Sequence, residues 1–352
     1  MSDRSKIEWT DATWNPLRAE NPATGKAGHH CVKISPACAH CYAASMNKRL
    51  GTGLDYSSSS PAEVYLDIKA LQQPRRWSRA RKIFVCSMTD LFLHNYTDQQ
   101  IAKVFAVMAL HPRHTFQVLT KRPKRMHEWF RWIARQCVSC GCKRDALDAN
   151  IVYQFIDDEE AGEQVSRDDF PAVWPLPNVQ IGVTAENQQY ADERIPWLLK
   201  CPAAVRFLSC EPLLGPTTFR WAKWDDWKGA DGEQRPAVDE YDGLRMLDWV
   251  IAGGESGQQA RPMHPDWARG LRDQCLAAGV PFFFKQWGEW LPSTNDSALH
   301  RSQTIYHPWD HQNRIGTSGA QWMIRVGKKA AGRLLDGREW NEFPQLHERI
   351  EA

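Results

Sequence analysis

The stretch that decides the fold reads KIFVCSMTD (82–90), YTDQQIAKVFAVMALHP (96–112) and TFQVLTKRP (115–123). Its first and third parts are short, rich in β-branched residues and almost continuously apolar, which is typical of strands buried on both faces. In the part between them, Thr97 or Asp98 can cap a helix whose apolar residues recur at helical spacing. A strand, a helix and a second strand in this order predict a parallel βα unit.

The same rhythm continues on both sides of this unit. Further strand-like runs read VQIGVTAEN (179–187), VRFLSCEPL (205–213), LDWVIAGGESG (247–257) and PFFFKQWGE (281–289). A second clear helix spans residues 264–280, where Pro265 opens it and Gly279 closes it. With a weaker first strand near residues 7–14, we count about seven units, which predicts an α/β fold of the TIM-like type, a closed or partial βα barrel. A doubly wound open sheet is the alternative, because a sequence does not reveal strand order.

Polar residues follow the predicted strands at their carboxyl ends. They are Asp90, Thr120, Lys121, Glu186, Glu211, Glu255, Lys285 and Glu289. Parallel βα folds bind their ligands at this end of the strands. We therefore expect a ligand site there, although solvated loop carboxylates are also common.

Three segments depart from the rhythm. Residues 136–177 and 220–246 are polar and are predicted to be insertions between units. Near the end of the chain, QWMIRVGKKAAGRLLDGREW (321–340) combines short strand-like runs with an Asp-Gly turn. We therefore expect a barrel domain over residues 1–290 and a small β-rich extension over 291–352 packed on it.

The composition of the 352-residue chain limits its function. A net charge of +2 gives no global electrostatic case for wrapping a polyanion, so any contact with nucleic acid has to be local. The start of the chain has no apolar core of a signal peptide, and no run of 18 apolar residues exists, so we expect a cytoplasmic protein without membrane contact. Ten cysteines in such a chain favour metal sites or free thiols over disulfides.

Three of the cysteines lie together in HHCVKISPACAHCYA (29–43), at the predicted ligand-binding end. They are Cys31, Cys38 and Cys41. A helix is expected to begin near residues 39–41 and to end at Gly51. Three thiolates can hold a [4Fe–4S] cluster and leave its fourth iron without a protein ligand, open to a substrate or cofactor.

A zinc site is the alternative for these thiols. The three cysteines and one of three nearby histidines could form a closed Cys3His site. The histidines are His29, His30 and His40. A closed site would seal the mouth of a barrel, whereas structural zinc usually supports a small domain that lacks a core. Free thiols are the third possibility.

The loop resembles the radical S-adenosylmethionine superfamily, in which three cysteines follow the first strand of a βα barrel. Its first spacing is six residues, where three is usual in that superfamily. Most of the chain also resembles a poorly characterised phage- and prophage-borne family with radical-SAM-like features. The phrases that carry this second resemblance are WTDATWNP, CVKISPACAHCYA, SMTDLF, LTKRP, GVTAEN, SCEPLLGP, IAGGESG, FFFKQWGEW and VGKKAAGRLLDGREWNEFP.

The resemblance implies an enzyme whose cluster binds S-adenosylmethionine and cleaves it reductively to start radical chemistry. It also implies an electron donor such as a flavodoxin or ferredoxin, and a partner protein encoded nearby is a further expectation. The positions that the resemblance assigns to the cofactor are His40, Tyr42, Asp90, Glu186, Glu211, Gly253, Gly254 and Glu255. In the superfamily a Gly-Gly-Glu segment usually follows the second strand, whereas here it follows the sixth.

A basic stretch, TKRPKRM (120–126), follows the third predicted strand and is expected at the mouth of the barrel. Its cations could receive phosphate from a nucleotide or nucleic acid substrate. They are Lys121, Arg122, Lys124 and Arg125. Trp129 and Trp132 could stack bases, although tryptophans at helical spacing more often pack in a core. The basic residues of 69–82 are more typical of a solvated surface, and VGKK (326–329) is a smaller basic site.

A second cysteine group lies in the first insertion. It consists of Cys137, Cys140 and Cys142. These thiols could hold zinc with a distant fourth ligand such as His127, form part of an auxiliary cluster, or be free. Four further cysteines are predicted to be buried core thiols, namely Cys86, Cys201, Cys210 and Cys275.

These observations leave two candidate functions for the protein. One is a radical S-adenosylmethionine enzyme acting on a nucleotide or nucleic acid, and the other is a non-catalytic, zinc-containing phage protein that binds nucleic acid.

Overall fold

The computed structural model divides into two compact units, each built from two stretches of chain. The first unit comprises Met1–Val183 and Trp197–Val205, and the second comprises Thr184–Pro196 and Arg206–Ala352. The residues that the structure describes are 5–136, 150–171, 173–219, 243–293, 304–307 and 321–345. The second cysteine group, Cys137, Cys140 and Cys142, lies outside them, and so does most of the polar stretch 220–246.

The described residues form strands and helices that alternate along most of the chain. The strands are β1 (Ala12–Trp14), β2 (Leu17–Asn21), β3 (Lys26–Gly28), β4 (Glu63–Leu66), β5 (Lys82–Val85), β6 (Thr115–Thr120), β7 (Val179–Thr184), β8 (Val205–Cys210), β9 (Trp249–Gly253), β10 (Phe282–Gln286), β11 (Trp290–Pro292), β12 (Thr304–His307) and β13 (Gln321–Arg325). The helices are α1 (Tyr42–Arg49), α2 (Ile68–Leu71), α3 (Asp98–Leu110), α4 (Pro123–Gln136), α5 (Asn150–Tyr153), α6 (Asp158–Ala161), α7 (Gln188–Leu199), α8 (Pro265–Ala278) and α9 (Lys328–Ala331). The fold is therefore α/β.

Seven strands form one sheet in the order β1-β5-β6-β7-β8-β9-β10. The strand order follows the chain without a reversal. A doubly wound sheet needs such a reversal at its switch point, so that alternative is excluded. The expected count of about seven parallel strands is confirmed, and the weak first strand appears as β1.

In the first unit, the parallel register brings the carboxyl ends of neighbouring strands level with one another. Trp14 of β1 pairs with Val85 of β5, and Val85 pairs with Val118 of β6. Helix α3 connects β5 to β6, and it begins after Thr97, which forms a capping box with Gln100. The segments that follow β5 and β6 therefore emerge at the same edge of the sheet.

A small antiparallel sheet in the first unit was not expected from the sequence. Its strand order is β3-β2-β4, and it separates β1 from the cysteine loop. A turn with Gly25 in the left-handed conformation joins β2 to β3. The cysteine loop therefore follows β3 rather than β1 directly.

The second unit contains the parallel pairs β8–β9 and β9–β10 and a three-stranded antiparallel sheet with the order β11-β13-β12. Helix α8 starts at Pro265 and ends at Gly279 in the left-handed conformation, as predicted. Asp336 and Gly337 both have positive φ, which confirms the Asp-Gly turn near the end of the chain. Among the described residues, no helix is both long enough and apolar enough to span a membrane.

Candidate functional site

The predicted site loop lies in the first unit, and we call residues 29–41 the thiol loop. Its three cysteines are free and partly buried. A short 3-10 helix, Pro36–Cys38, forms its last part, and Cys41 occupies the N-cap position of α1. Helix α1 begins at Tyr42, one residue beyond the predicted start, and the chain leaves it through Gly51, as predicted.

The surroundings of Cys31 include the other two thiols. Burial raises the pKa of Cys31 to about 11, and nearby negative charge, from Asp90 and from the Cys38 and Cys41 thiolates, adds to the rise. Cys31 and Cys41 also pack against the same buried cluster, which includes Tyr56. The other two thiols thus lie near enough to Cys31 for their charges to act on it.

Cys38 differs from Cys31 in its surroundings. Burial opposes its ionisation, but the charge of Lys121 and hydrogen bonds from the backbone of Ile34 and Ser35 outweigh burial and lower the pKa of the thiol. The hydroxyl of Ser35 lies 3.7 Å from the Cys38 sulfur. A thiol whose pKa is lowered forms the thiolate that binds metals, so Cys38 is the cysteine best prepared to act as a ligand.

Arg122 connects the thiol loop to the sheet edge. Its guanidinium donates a 2.9 Å hydrogen bond to Asp90 and a 2.6 Å hydrogen bond to the carbonyl of Val32 in the loop. It also lies 3.9 Å from the sulfur of Cys31. One side chain at the end of β6 therefore holds the loop and places a positive charge beside a thiol.

Asp90 occupies the predicted position after β5, and the protein supplies several donors to its carboxylate. Besides Arg122, the donors are the Thr120 hydroxyl at 2.7 Å and the backbone N–H groups of Lys121 and Phe92, each at 3.0 Å. The carboxylate therefore organises the sheet edge under the thiol loop. Its assignment to a cofactor stays a prediction.

The neighbouring aromatic and histidine residues have defined places. The backbone N–H of His29 donates to the Asn47 side chain at 2.9 Å, and burial, aided by the charge of Arg18, lowers the pKa of its ring to about 4. The ring of His30 lies 3.3 Å from the carbonyl of Asp55. His40 is partly buried, and the exposed Tyr42 donates to the carbonyl of Ser87.

The chemistry of this loop fits a sulfur-ligated metal group. It offers three free thiols on one short segment, Arg122 lies 3.9 Å from the sulfur of Cys31, and the charge of Lys121 favours the thiolate of Cys38. Within the described ranges, no three His, Cys, Asp or Glu side chains form a group that could hold a single metal ion. The ligand role of the cysteines stays a prediction.

The four cations predicted to receive phosphate separate into two kinds. Arg122 is committed to Asp90 and the loop, and Arg125 forms a 2.5 Å ion pair with Asp98. Lys124 is exposed and lies 5.9 Å from the ring centre of Trp197, and Lys121 is partly exposed. Of these four cations, Lys121 and Lys124 are the two without a carboxylate partner among the described residues, so they are the two that can receive an anion.

The tryptophans of α4 are packing residues. Trp129 is buried and stacks on Phe105 with ring centres 4.4 Å apart. Trp132 packs on Phe155 at 5.3 Å. The structure therefore favours core packing over base stacking for both. Trp197, whose ring lies under Lys124 and Lys200, was not identified from the sequence.

In the second unit, three of the four predicted strand-end carboxylates pair with a cation, and the fourth, Glu289, accepts a 3.0 Å hydrogen bond from the backbone N–H of Gly257. The pairs are Glu186–Arg194 at 2.8 Å, Glu211–Lys285 at 3.2 Å and Glu255–Arg261 at 2.7 Å. The first pair is almost completely buried, and Arg194 also donates to the carbonyl and hydroxyl of Thr184. These contacts fix the loops at the strand ends. Binding of a cofactor by the three glutamates stays a prediction.

The first two glycines of the GGESG segment, Gly253 and Gly254, serve close packing. A Cβ on Gly254 would lie 2.0 Å from the carbonyl oxygen of Trp287, and a Cβ on Gly288 would lie 2.0 Å from that of Glu255. A Cβ on Gly253 would meet the carboxylate of Glu211 at 2.9 Å. Two strand-end loops therefore pack backbone against backbone, and the missing side chains are explained without a ligand.

The remaining described cysteines agree with prediction, since Cys86, Cys201, Cys210 and Cys275 are all buried. Sequence reasoning missed three side chains that hold the thiol loop. The Thr89 hydroxyl donates to the carbonyl of His30, Tyr56 belongs to the buried cluster against which Cys31 and Cys41 pack, and the side chain of the buried Asn47 accepts the N–H of His29. No local sequence signal predicts these contacts, because they join residues that lie 18 to 59 positions apart.

Comparison with known families shows which family the chain matches. Residues 4–344 match a family described as "Protein of unknown function (DUF5131)". The match covers nearly the entire chain, so it includes the thiol loop and the strand-end carboxylates of the second unit. No curated protein and no solved structure matches the chain.

Proposed function

The chain belongs to the DUF5131 family, whose description names no activity, and from the site itself we propose that the protein is a radical S-adenosylmethionine enzyme. Cys31, Cys38 and Cys41 would hold a [4Fe–4S] cluster with one open iron. The observation that carries this proposal is the thiol loop, where three free, partly buried thiols lie on one short segment, with Arg122 beside Cys31 and the charge of Lys121 acting on Cys38.

When bound, the cluster supplies one electron and an open iron for the amino and carboxylate groups of S-adenosylmethionine, whose reductive cleavage starts radical chemistry. The side chains of the protein would hold the loop in place and provide positive charge near the sulfurs. Arg122 fastens the loop to Asp90 and places positive charge near Cys31, and Lys121 favours the thiolate of Cys38. Partial burial keeps bulk water away from the sulfurs.

Further features belong to the same proposal. The sequential strand order supports a partial TIM-like βα barrel. Lys121 and Lys124 support a nucleotide or nucleic acid substrate, because they are the two basic residues of the 120–126 stretch that no described carboxylate pairs with. Ten cysteines suit a reducing cytoplasm, and the electron would come from a carrier such as a flavodoxin or ferredoxin.

Metal analysis after anaerobic iron and sulfide reconstitution tests the cluster. We expect about four iron per chain, from the stoichiometry of the cubane, and loss of that iron in a Cys31→Ala, Cys38→Ala, Cys41→Ala triple variant. Cys275→Ala, which removes a buried thiol elsewhere, is the matched control and should keep the iron. A triple variant that retains its iron overturns the assignment. Zinc without iron in anaerobically purified protein would favour the nucleic-acid-binding alternative.

Product analysis tests the reaction separately. The reconstituted protein, reduced with dithionite and supplied with S-adenosylmethionine, should form 5′-deoxyadenosine and methionine, which liquid chromatography with mass spectrometry detects. The triple cysteine variant should form neither product above background. Iron-loaded wild-type protein that leaves S-adenosylmethionine intact would retain the cluster and exclude this chemistry.

A further inference from the structure

Helix α1 presents its apolar side chains to solvent. Tyr42, Met46 and the C-cap residue Leu50 recur every four residues on one side of the helix and are 50%, 48% and 57% exposed. The buried side holds Ala43 and Asn47 instead. This is the reverse of the usual amphipathic arrangement, in which the apolar face covers the core.

The exposed apolar residues are concentrated around the thiol loop. Seven large apolar side chains are exposed in the part of the chain that the structure describes, and four of them lie between residues 34 and 50. The fourth, Ile34, lies within the thiol loop and is 42% exposed. Scattered exposed apolar residues need no explanation, but a cluster of this kind marks an interaction site. We call Ile34, Tyr42, Met46 and Leu50 the α1 surface.

Positive charge accompanies the α1 surface. The sequence from residue 21 to residue 54 contains no Asp or Glu, although the whole chain is nearly neutral. Its four cations are Lys26, Lys33, Lys48 and Arg49. All four are exposed, and none forms an ion pair with another residue that the structure describes.

The cations lie close to the apolar side chains. Lys48 and Arg49 belong to the last turn of α1, and Lys33 neighbours Ile34. The ammonium group of Lys26 lies 3.8 Å from where a Cβ on Gly51 would be, which places it beside the end of the helix. An apolar centre with a rim of one charge sign is complementary to an apolar patch with the opposite rim.

We propose that the α1 surface is the docking site of an acidic one-electron carrier protein. This inference rests on the proposed function, because a cluster on the thiol loop needs an electron from outside the protein. The surface begins within the loop at Ile34 and continues along the helix that Cys41 caps. A carrier seated there would contact the segment that holds the cluster.

Other occupants fit the surface less well. A second copy of the chain related by two-fold symmetry would bring equal positive charges together, which is unfavourable. Nucleic acid would match the charge but would leave Ile34, Met46 and Leu50 without apolar partners. An anionic membrane would match both features, but helices that lie in a membrane surface usually present a longer apolar face than α1 offers.

Direct binding is the first test, and it needs no loaded cluster. A purified acidic ferredoxin is the probe, and biolayer interferometry with the full chain gives Kd at several salt concentrations. We expect Met46→Ser/Leu50→Ser to weaken binding about tenfold. Lys48→Glu/Arg49→Glu should weaken it further and flatten its salt dependence, because attraction of opposite charges is screened by salt.

Matched controls separate the surface from general effects. Leu276→Ser removes an exposed leucine from α8, and Arg76→Glu/Arg79→Glu makes the same change in net charge elsewhere on the first unit. Both should bind the ferredoxin as the wild type does. Wild-type protein that does not bind the ferredoxin, or α1 surface variants that bind it as the controls do, would overturn the proposal. Preferential binding to anionic vesicles, or a dimer that the same substitutions dissociate, would also overturn it.

A second measurement distinguishes failure of docking from failure of the proposed function. Formation of 5′-deoxyadenosine is driven either by the reduced ferredoxin or by dithionite, which needs no docking site. The α1 surface variants should lose at least about tenfold in kcat/KM for the ferredoxin, in line with their weaker binding, and keep the dithionite rate. If the variants lost the same fraction of activity with both reductants, the α1 surface would support the structure of the enzyme rather than bind the carrier. If wild-type protein formed no product with dithionite, the proposed enzyme function would be refuted. The binding measurements would still show whether the α1 surface binds the ferredoxin.

Discussion

Arg122 and Asp90 form a 2.9 Å ion pair in which both side chains are mostly buried. The pair joins the end of β6 to the segment after β5, and the same guanidinium reaches the carbonyl of Val32 in the thiol loop. A residue that the sequence suggests as a phosphate ligand thus holds the predicted metal loop in place. The loop and the sheet edge should therefore lose order together when this pair is broken.

Arg122→Met should lower the free energy of unfolding by about 2–4 kcal/mol, because it leaves the buried carboxylate of Asp90 without its charged partner. Urea denaturation followed by tryptophan fluorescence measures the change. Arg125→Met is the matched control, since its partner Asp98 is more exposed and the expected loss is about 1 kcal/mol or less. Equal losses of stability in the two variants would show that the buried Arg122–Asp90 pair stabilises the fold no more than the more exposed Arg125–Asp98 pair does.

The different surroundings of Cys38 and Cys31 predict different reactivity in the metal-free protein. At pH 8 iodoacetamide should label Cys38 about tenfold faster than Cys31, because the thiolate fraction favours Cys38 and the lower nucleophilicity of a weaker base offsets part of that advantage. Peptide mass spectrometry over time measures both rates. Lys121→Met should raise the pKa of Cys38 and slow its labelling, whereas Lys124→Met should not. Faster labelling of Cys31 would contradict this account.

The sequence predicts the central sheet well because its signals are local. Each strand is a short apolar run, and α3 carries both its cap at Thr97 and its apolar stripe within the helix itself. The small sheet of β2, β3 and β4 gave no such signal. Its strands have three to five residues, and β2 pairs with β4, where Arg18 lies opposite Tyr65 far along the chain.

The site was predictable in position but not in its contacts. Polar residues after buried strands identify the strand ends, so Asp90 and Glu211 are where they were expected. Their partners depend on tertiary structure, since Lys285 reaches Glu211 across 74 residues of chain and Arg122 reaches Asp90 across 32. A sequence shows that a carboxylate follows a strand. Whether that carboxylate binds a ligand or pairs with a cation of the protein depends on the tertiary structure.

Replacing the strand-end carboxylates of the second unit should destabilise the protein by amounts that depend on how deeply each ion pair is buried. Glu186→Gln should cost about 3–5 kcal/mol in the free energy of unfolding, because Arg194 would remain as a buried charge without its partner. Glu255→Gln should cost about 1–2 kcal/mol, since Arg261 is about one-third exposed and water can solvate it. Chemical denaturation of both variants measures the difference. A smaller cost for Glu186→Gln would show that the buried pair is weakly coupled to the fold.

The contact between the strand-end loops predicts opposite effects for two glycine substitutions in the second unit. Gly254→Ala would place a methyl group 2.0 Å from the carbonyl oxygen of Trp287, so one backbone segment has to move, and we expect a loss of about 3 kcal/mol or more. Gly270 lies inside α8 with open space around it, so Gly270→Ala should stabilise the protein by up to about 1 kcal/mol. Thermal and urea denaturation measure both changes. If Gly254→Ala were tolerated as well as Gly270→Ala, Gly254 would not be required for packing, and close approach of the protein backbone to a ligand would become the better explanation for it.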